Sequence, residues 1–109
     1  MNEKQLKEIS ILAKKLEFNP YTFITEFSFN CFINNIENMN VDNIYIYLLL
    51  CEIKLWLIEK YDILIEISTN PYPTTFNVSV CNSVYKSNFK TYQEALSTGI
   101  LETLNLINN

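Results

Sequence analysis

A chain of 109 residues is one domain's worth, enough for a single core and too short for two independent ones. With 49% hydrophobic residues, 18% charged and a single glycine, it lies far from the polar profile of disordered chains and is expected to fold. Histidine is absent, all eight basic residues are lysine and the net charge is −4, which removes His-based nucleophile pairs, most zinc sites and the bidentate arginine grip on phosphate or a guanine edge.

Leu6, Ile9, Leu12, Ala13 and Leu16 recur at the three-and-four spacing of one helical stripe, so the segment from Glu3 to Leu16 is predicted to be a helix. Glu3 with Lys7 and Lys4 with Glu8 add pairs across a turn. Asn19 before Pro20 marks a stop, a new helix start, or both. From Phe23 to Ile33 two readings compete. Ile24, Phe27 and Cys31 fit a helix beginning at Pro20, which is the favoured reading, while Phe27, Phe29, Cys31 and Ile33 alternate as in a strand. Five asparagines between positions 34 and 43 then mark a linker, and Asp42 reads as a helix N-cap.

Ile44 to Tyr61 is apolar almost all round, with Glu52, Lys54, Glu59 and Lys60 on one narrow, solvated side. A helix of that kind is expected at the centre of a core, with Trp56 packing inside it. Its apolar run from Ile44 to Cys51 is eight residues, against roughly 20 needed to cross a bilayer, so no membrane partner is expected. Asp62 to Ser68 alternates, with Ile63, Ile65 and Ile67 on one side and Asp62, Leu64 and Glu66 on the other. Phe76, Val78 and Val80 against Asn77, Ser79 and Cys81 repeat the pattern, giving two half-buried strands. Asn70 to Thr74 joins them as a loop stiffened by Pro71 and Pro73. Asn82 and Ser83 turn the chain into a third short strand, Val84 to Phe89.

Thr91 followed by Glu94 matches the capping box and starts a helix at Tyr92. Its stripe of Ala95, Leu96, Gly99, Ile100, Thr103, Leu104 and Ile107 faces inward, and Gly99 is small enough for a close approach to a strand or helix. The expected fold class is therefore α+β: helices packed on one face of a small three-stranded antiparallel sheet, in the order α-α-α-β-β-β-α. It forms one domain over residues 1–109 with an Asn-rich linker around 34–43.

The side chains able to carry chemistry are few. Cys31, Cys51 and Cys81 are odd in number, lack C-x-x-C spacing and sit in apolar contexts, which predicts buried thiols in a reducing, cytoplasmic setting. No metal or cofactor site is expected. Glu52 and Glu59 lie two turns apart with Glu66 on the next strand, a carboxylate set that reads as the solvated side of its helix before it reads as an acid–base pair. A thiolate at Cys81 would need a cation, and Lys86 is the nearest in sequence. Direct nucleic-acid binding is disfavoured by the acidic balance, the only lysine face being Lys4, Lys7, Lys14 and Lys15.

Trp56, Leu57, Ile58, Glu59, Lys60 and Tyr61, the strands after them, and Phe89, Lys90, Thr91, Tyr92, Gln93, Glu94, Ala95 and Leu96 form a combined pattern. Over roughly residues 48 to 107 it resembles small bacteriophage and prophage proteins that read W-L-x-x-K-x, strands, then F-x-(T/S)-Y-x-E-A-L and a last helix. This chain has Leu57 and Ile58 where that pattern usually has basic residues. The resemblance implies a mobile-element setting, in which small proteins are often inhibitors of host defence nucleases of the CRISPR type.

The leading functional expectation is a non-enzymatic module that binds a protein partner, with Asp62, Leu64, Glu66, Asn77 and Ser79 on the wetter sheet face and Tyr72 in the loop as contact residues. The alternative is a structural homodimer or an accessory phage protein without inhibitory role. It is motivated by more aromatic residues than one small core needs, among them Phe27, Phe29, Phe32, Tyr45 and Tyr47.

Overall fold

The computed structural model describes residues 3–18, 43–81 and 84–108. These form helix α1 (Glu3–Lys15), helix α2 (Asn43–Tyr61), strands β1 (Ile65–Asn70), β2 (Thr75–Val80) and β3 (Val84–Phe89), and helix α3 (Tyr92–Asn108). The class is α+β with a three-stranded antiparallel sheet in the order β1-β2-β3. The helix expected from Pro20, Cys31, the Asp42 cap, the turn at Asn82 and Ser83, and the linker around 34–43 up to residue 42 lie outside the described residues, while Asn43 already belongs to α2.

Helix α3 is the hub: α1, α2 and all three strands pack against it. This corrects the expectation that the segment from Ile44 to Tyr61 forms the centre, and the reason is the width of the side chains. The buried side of α3 carries Ala95, Ser97, Gly99 and Thr103 beside Leu96, Ile100 and Leu104, so neighbours can come close to its axis. The buried hydroxyls need no outside partner, because Ser97 donates to the Glu94 carbonyl at 3.1 Å and Thr103 to the Gly99 carbonyl at 2.8 Å. Helix α2 is bulky all round; it buries Leu49, Leu50, Ile53, Trp56 and Leu57 and leaves Tyr47 and Leu55 more than 40% exposed. The predicted start of α3 is confirmed at its cap, where the Glu94 amide donates to Thr91 Oγ1 at 3.1 Å.

Gly99 is where α3 meets the sheet. A Cβ at that position would stand 2.6 Å from Val78 Cγ2 and 3.1 Å from Ile65 Cγ2. Both are short β-branched side chains buried to within 1% of completely, so neither can swing aside.

Since the only glycine is committed there, the chain turns elsewhere on residues with a Cβ. Helix α1 ends at Glu17, φ 69°, with the Phe18 amide donating to the Ala13 carbonyl at 3.0 Å and the Glu17 amide to the Lys14 carbonyl at 2.9 Å. That is the hydrogen-bond pair of a Schellman cap with glutamate in the place glycine usually takes. The cap delivers Phe18 edge-on to Trp56, ring centroids 5.2 Å apart. Lys60 closes the junction: its ammonium donates to the Leu16 carbonyl at 3.3 Å and sits 5.6 Å from the ring centres of both Trp56 and Tyr61. Helix α2 ends likewise at Asp62, φ 56°, whose amide donates to the Ile58 carbonyl at 3.1 Å. This cap is why β1 begins at Ile65 instead of at Asp62.

Strand β3 departs from simple alternation. Phe76 pairs with Phe89 and Val78 with Lys86, so Asn77 faces two residues, Ser87 and Asn88. Asn88 takes φ 67° in this bulge. The extra residue brings Lys86 and Phe89 to the same side, where Lys86 forms an ion pair with Glu102 of α3.

Two outcomes are expected in urea unfolding. Gly99→Ala should lower stability by about 1–2 kcal/mol, because overpacking of roughly 1–3 kcal/mol outweighs the ~1 kcal/mol gain in helix propensity. Val78→Ala should cost less stability in the Gly99→Ala protein than in the wild type, and additive effects of the two changes would show that the close approach is not the cause. Glu17→Gly should raise stability by about 0.5–1 kcal/mol, as a left-handed residue loses its Cβ clash; an unchanged or lower midpoint would refute that account.

Candidate functional site

The two faces of the sheet follow from its register. Ile65 pairs with Val80, Ile67 with Val78 and Thr69 with Phe76 on the side of α3. Glu66 with Ser79, Ser68 with Asn77, and Asn70 with Thr75 make the opposite side, as the alternation predicts for Glu66, Asn77 and Ser79.

That outer side is held together by its own side chains. Asn70 Nδ2 donates to Asn77 Oδ1 at 2.9 Å and Asn77 Nδ2 returns to Asn70 Oδ1 at 3.1 Å, a reciprocal amide pair. Asn77 Nδ2 also reaches Ser68 Oγ at 3.3 Å, and Asn70 Nδ2 reaches Thr75 Oγ1 at 3.2 Å. The ladder stands at the base of the turn Pro71–Thr74, all four residues of which are exposed. Tyr72 sits between the two prolines at φ 50° and is 97% exposed, the largest exposure of any bulky apolar side chain described. An aromatic ring so placed gains nothing from the protein's own packing.

The expected contact residues therefore separate. Asp62, Leu64, Glu66 and Tyr72 are exposed and Ser79 is half-buried. Asn77 is 3% exposed, with its amide engaged by the ladder, so it shapes the hairpin and offers little surface. Leu64 and Asp62 lie at the opposite end of β1 from Tyr72, where the Cys81 amide donates to the Leu64 carbonyl at 2.8 Å and the Leu64 amide to Cys81 Sγ at 3.4 Å. Ser68, Asn70 and Thr75 went unnoticed as a group. A four-residue turn at 71–74 would have revealed them, since it sets Asn70 opposite Thr75 and Ser68 opposite Asn77.

The carboxylates and thiols are not arranged as one site. Glu52 is 4% exposed, correcting its placement on a solvated side of α2, whereas Glu59 and Glu66 are exposed. Lys86, considered as the cation beside Cys81, is held by Glu102. Cys81 is exposed, not buried, and occupies the turn after β2 at φ 51°. Cys51 is half-buried beside Tyr47 and Lys54, and burial pushes its thiol pKa up, away from the thiolate a nucleophile needs. Burial likewise raises the Tyr92 phenol, which packs between Tyr47 at 5.9 Å and Phe76 at 6.1 Å. Among the described residues no group of three or more Cys, Asp or Glu stands close enough to hold a metal ion, and no helix is long and apolar enough to cross a membrane.

No protein family, curated protein or solved structure gives a match to this chain.

Because its pKa is raised, Cys51 should be alkylated slowly at neutral pH and faster as the pH rises past the ordinary thiol range, with Cys81 modified first. Mass spectrometry of iodoacetamide adducts against pH checks this, and rapid selective labelling of Cys51 at pH 7 would contradict the burial argument.

Proposed function

We infer that this chain is a non-enzymatic protein-binding module that presents the β1–β2 hairpin, with Tyr72 as the anchor. The observation that carries the reading is the 97% exposure of Tyr72 at the tip of a turn flanked by prolines and braced by the Asn70–Asn77 ladder. Binding loses affinity to whatever must be ordered on contact, and in a braced, proline-flanked turn the backbone has little left to order, leaving the two side-chain torsions of Tyr72. Tyrosine also leads among residues that dominate protein interfaces, supplying a large apolar ring and one hydroxyl. The matching surface is an apolar pocket with a hydrogen-bond acceptor inside it.

Charge narrows the partner further. The chain carries −4 overall, and Asp62 and Glu66 are exposed on β1 and its approach, so a basic counterpart is favoured. Bacterial defence nucleases of the CRISPR type offer basic surfaces where they hold nucleic acid. With the resemblance to phage proteins, this makes such an enzyme, met in the host cytoplasm, the proposed target. A second reading is a structural homodimer, favoured by the outer edge of β1, with which no strand among the described residues pairs.

Capture from a bacterial host lysate, followed by affinity measurement on the captured protein, tests the hairpin. Tyr72→Ala should weaken binding at least roughly 30-fold, the ~2 kcal/mol of an interface anchor, with the fold unchanged by circular dichroism. Glu66→Lys should weaken it less. Binding indifferent to both substitutions would remove the hairpin from consideration.

A further inference from the structure

The two edges of the sheet are guarded differently. β3 has three devices that discourage strand addition: the bulge at Ser87 and Asn88, the charge of Lys86 on the side facing α3, and Lys90 just past its end. β1 has none of these; its six residues pair with β2 without a register break, and no proline or lysine lies within it. Among the described residues no strand pairs with its outer edge.

The register shows which backbone groups stand on that edge. The Cys81 amide donates to the Leu64 carbonyl, and Leu64 opposite Cys81 continues the pairing of Ile65 with Val80. Residues opposite each other in an antiparallel pair alternate between exchanging hydrogen bonds and pointing them away. Glu66, Ser68 and Asn70 therefore bond to β2, while the amides and carbonyls of Ile65, Ile67 and Thr69 point outward. The side chains along this edge are β-branched at those three positions, and Glu66 and Ser68 between them are exposed.

We propose that the outer edge of β1 pairs with β1 of a second copy of this chain, antiparallel about a two-fold axis at Ile67, continuing the sheet to six strands. The proposal gives the homodimer reading its geometry and is independent of Tyr72. Charge and chain chemistry select the register. An axis at Glu66 would set the two Glu66 carboxylates directly opposite each other, which is repulsive. An axis at Ser68 would set Pro71, which has no amide hydrogen, opposite Ile65. With the axis at Ile67, Ile65 faces Thr69 of the copy, Ile67 faces itself, and each Glu66 faces a Ser68 hydroxyl. All three outward residues of each strand then exchange backbone hydrogen bonds, and no like charges are opposed. Pairing β1 with β3 of a copy would meet the bulge, so the association closes as a dimer instead of extending into a filament.

Ser68 supplies the test, because its two charged variants lose the same contact with Asn77 while changing the charge facing Glu66 in opposite senses. Light scattering across a concentration series should give a mass of twice 12.8 kDa for the wild type, dissociating on dilution. Ser68→Glu should weaken the dimer about tenfold, and Ser68→Lys should tighten it about tenfold, since symmetry applies each change twice. A monomer mass at every concentration overturns the proposal and leaves hairpin binding standing. So does a dimer whose dissociation constant is unmoved by both variants, or moves the same way in both.

Discussion

The packing of the described elements depends on the contact of Gly99 with Val78 and Ile65, where helix α3 meets the sheet. An interior filled at crystal-like density has no slack to accept a methyl group at 2.6 Å from a buried branched side chain. Helix α3 can therefore lie on the sheet only with its small side inward. Once it does, its other buried residues, Leu96, Ile100 and Leu104, are placed within the same core as Leu6, Ile9 and Ala13 of α1 and Leu49, Leu50 and Leu57 of α2. The hydroxyls of Ser97 and Thr103 make this side narrow without leaving a buried donor unmet, since each bonds to a carbonyl of its own helix.

Committing the one glycine to packing has a consequence at the chain's turning points. Among the described residues five with a Cβ take left-handed φ: Glu17, Asp62, Tyr72, Cys81 and Asn88. A side chain in that region costs about 1–2 kcal/mol relative to the right-handed one, so each must be held by something nearby. At Glu17 the Schellman bonds, the Phe18–Trp56 edge contact and Lys60 supply the hold. At Cys81 it is the backbone bond to Leu64 and the thiol's acceptance of the Leu64 amide. Asn88 lies in the β3 bulge; the other four stand where an element ends or the chain reverses, and Asp62 and Tyr72 among them explain why short connections suffice from α2 to β1 and from β1 to β2.

Much of this was legible in order of residues, and the parts that were not have physical causes. Alternation at Ile65, Ile67, Val78 and Val80 assigned strand faces because a strand's side-chain period is two and admits no drift. The Thr91–Glu94 signature located the start of α3 because the cap is local chemistry. The hub was misplaced because an all-round apolar helix and a buried helix read alike, while closeness of approach depends on small residues such as Gly99, whose partners belong to another element. Asn77 was read as surface because alternation tells which side a residue faces but not how deeply its neighbours cover it. The bulge in β3 was hidden because Lys86, Ser87 and Asn88 are all polar, so an inserted residue breaks no hydrophobic pattern. The segment from Pro20 to Asp42 lies outside the described residues.

The outer sheet face shows how little of an apparently polar surface is available for recognition. Ser68, Asn70, Thr75 and Asn77 look like a row of donors and acceptors, yet their amides and hydroxyls bond chiefly to one another. A partner reaching for Asn70 or Asn77 would have to break bonds already made, with no net gain in hydrogen bonding. Among the described residues, what stays open lies at the margins of this ladder: the Tyr72 ring at one end, Asp62 and Leu64 at the other, Glu66 between, and the outward backbone of Ile65, Ile67 and Thr69 along the edge. The ladder's part is to keep those margins in fixed relation, so that the backbone beneath the aromatic tip and along the strand edge has little freedom left to lose on contact. Two such surfaces on one hairpin need not compete, since the ring projects beyond the last residue of β1 while the edge runs beside it.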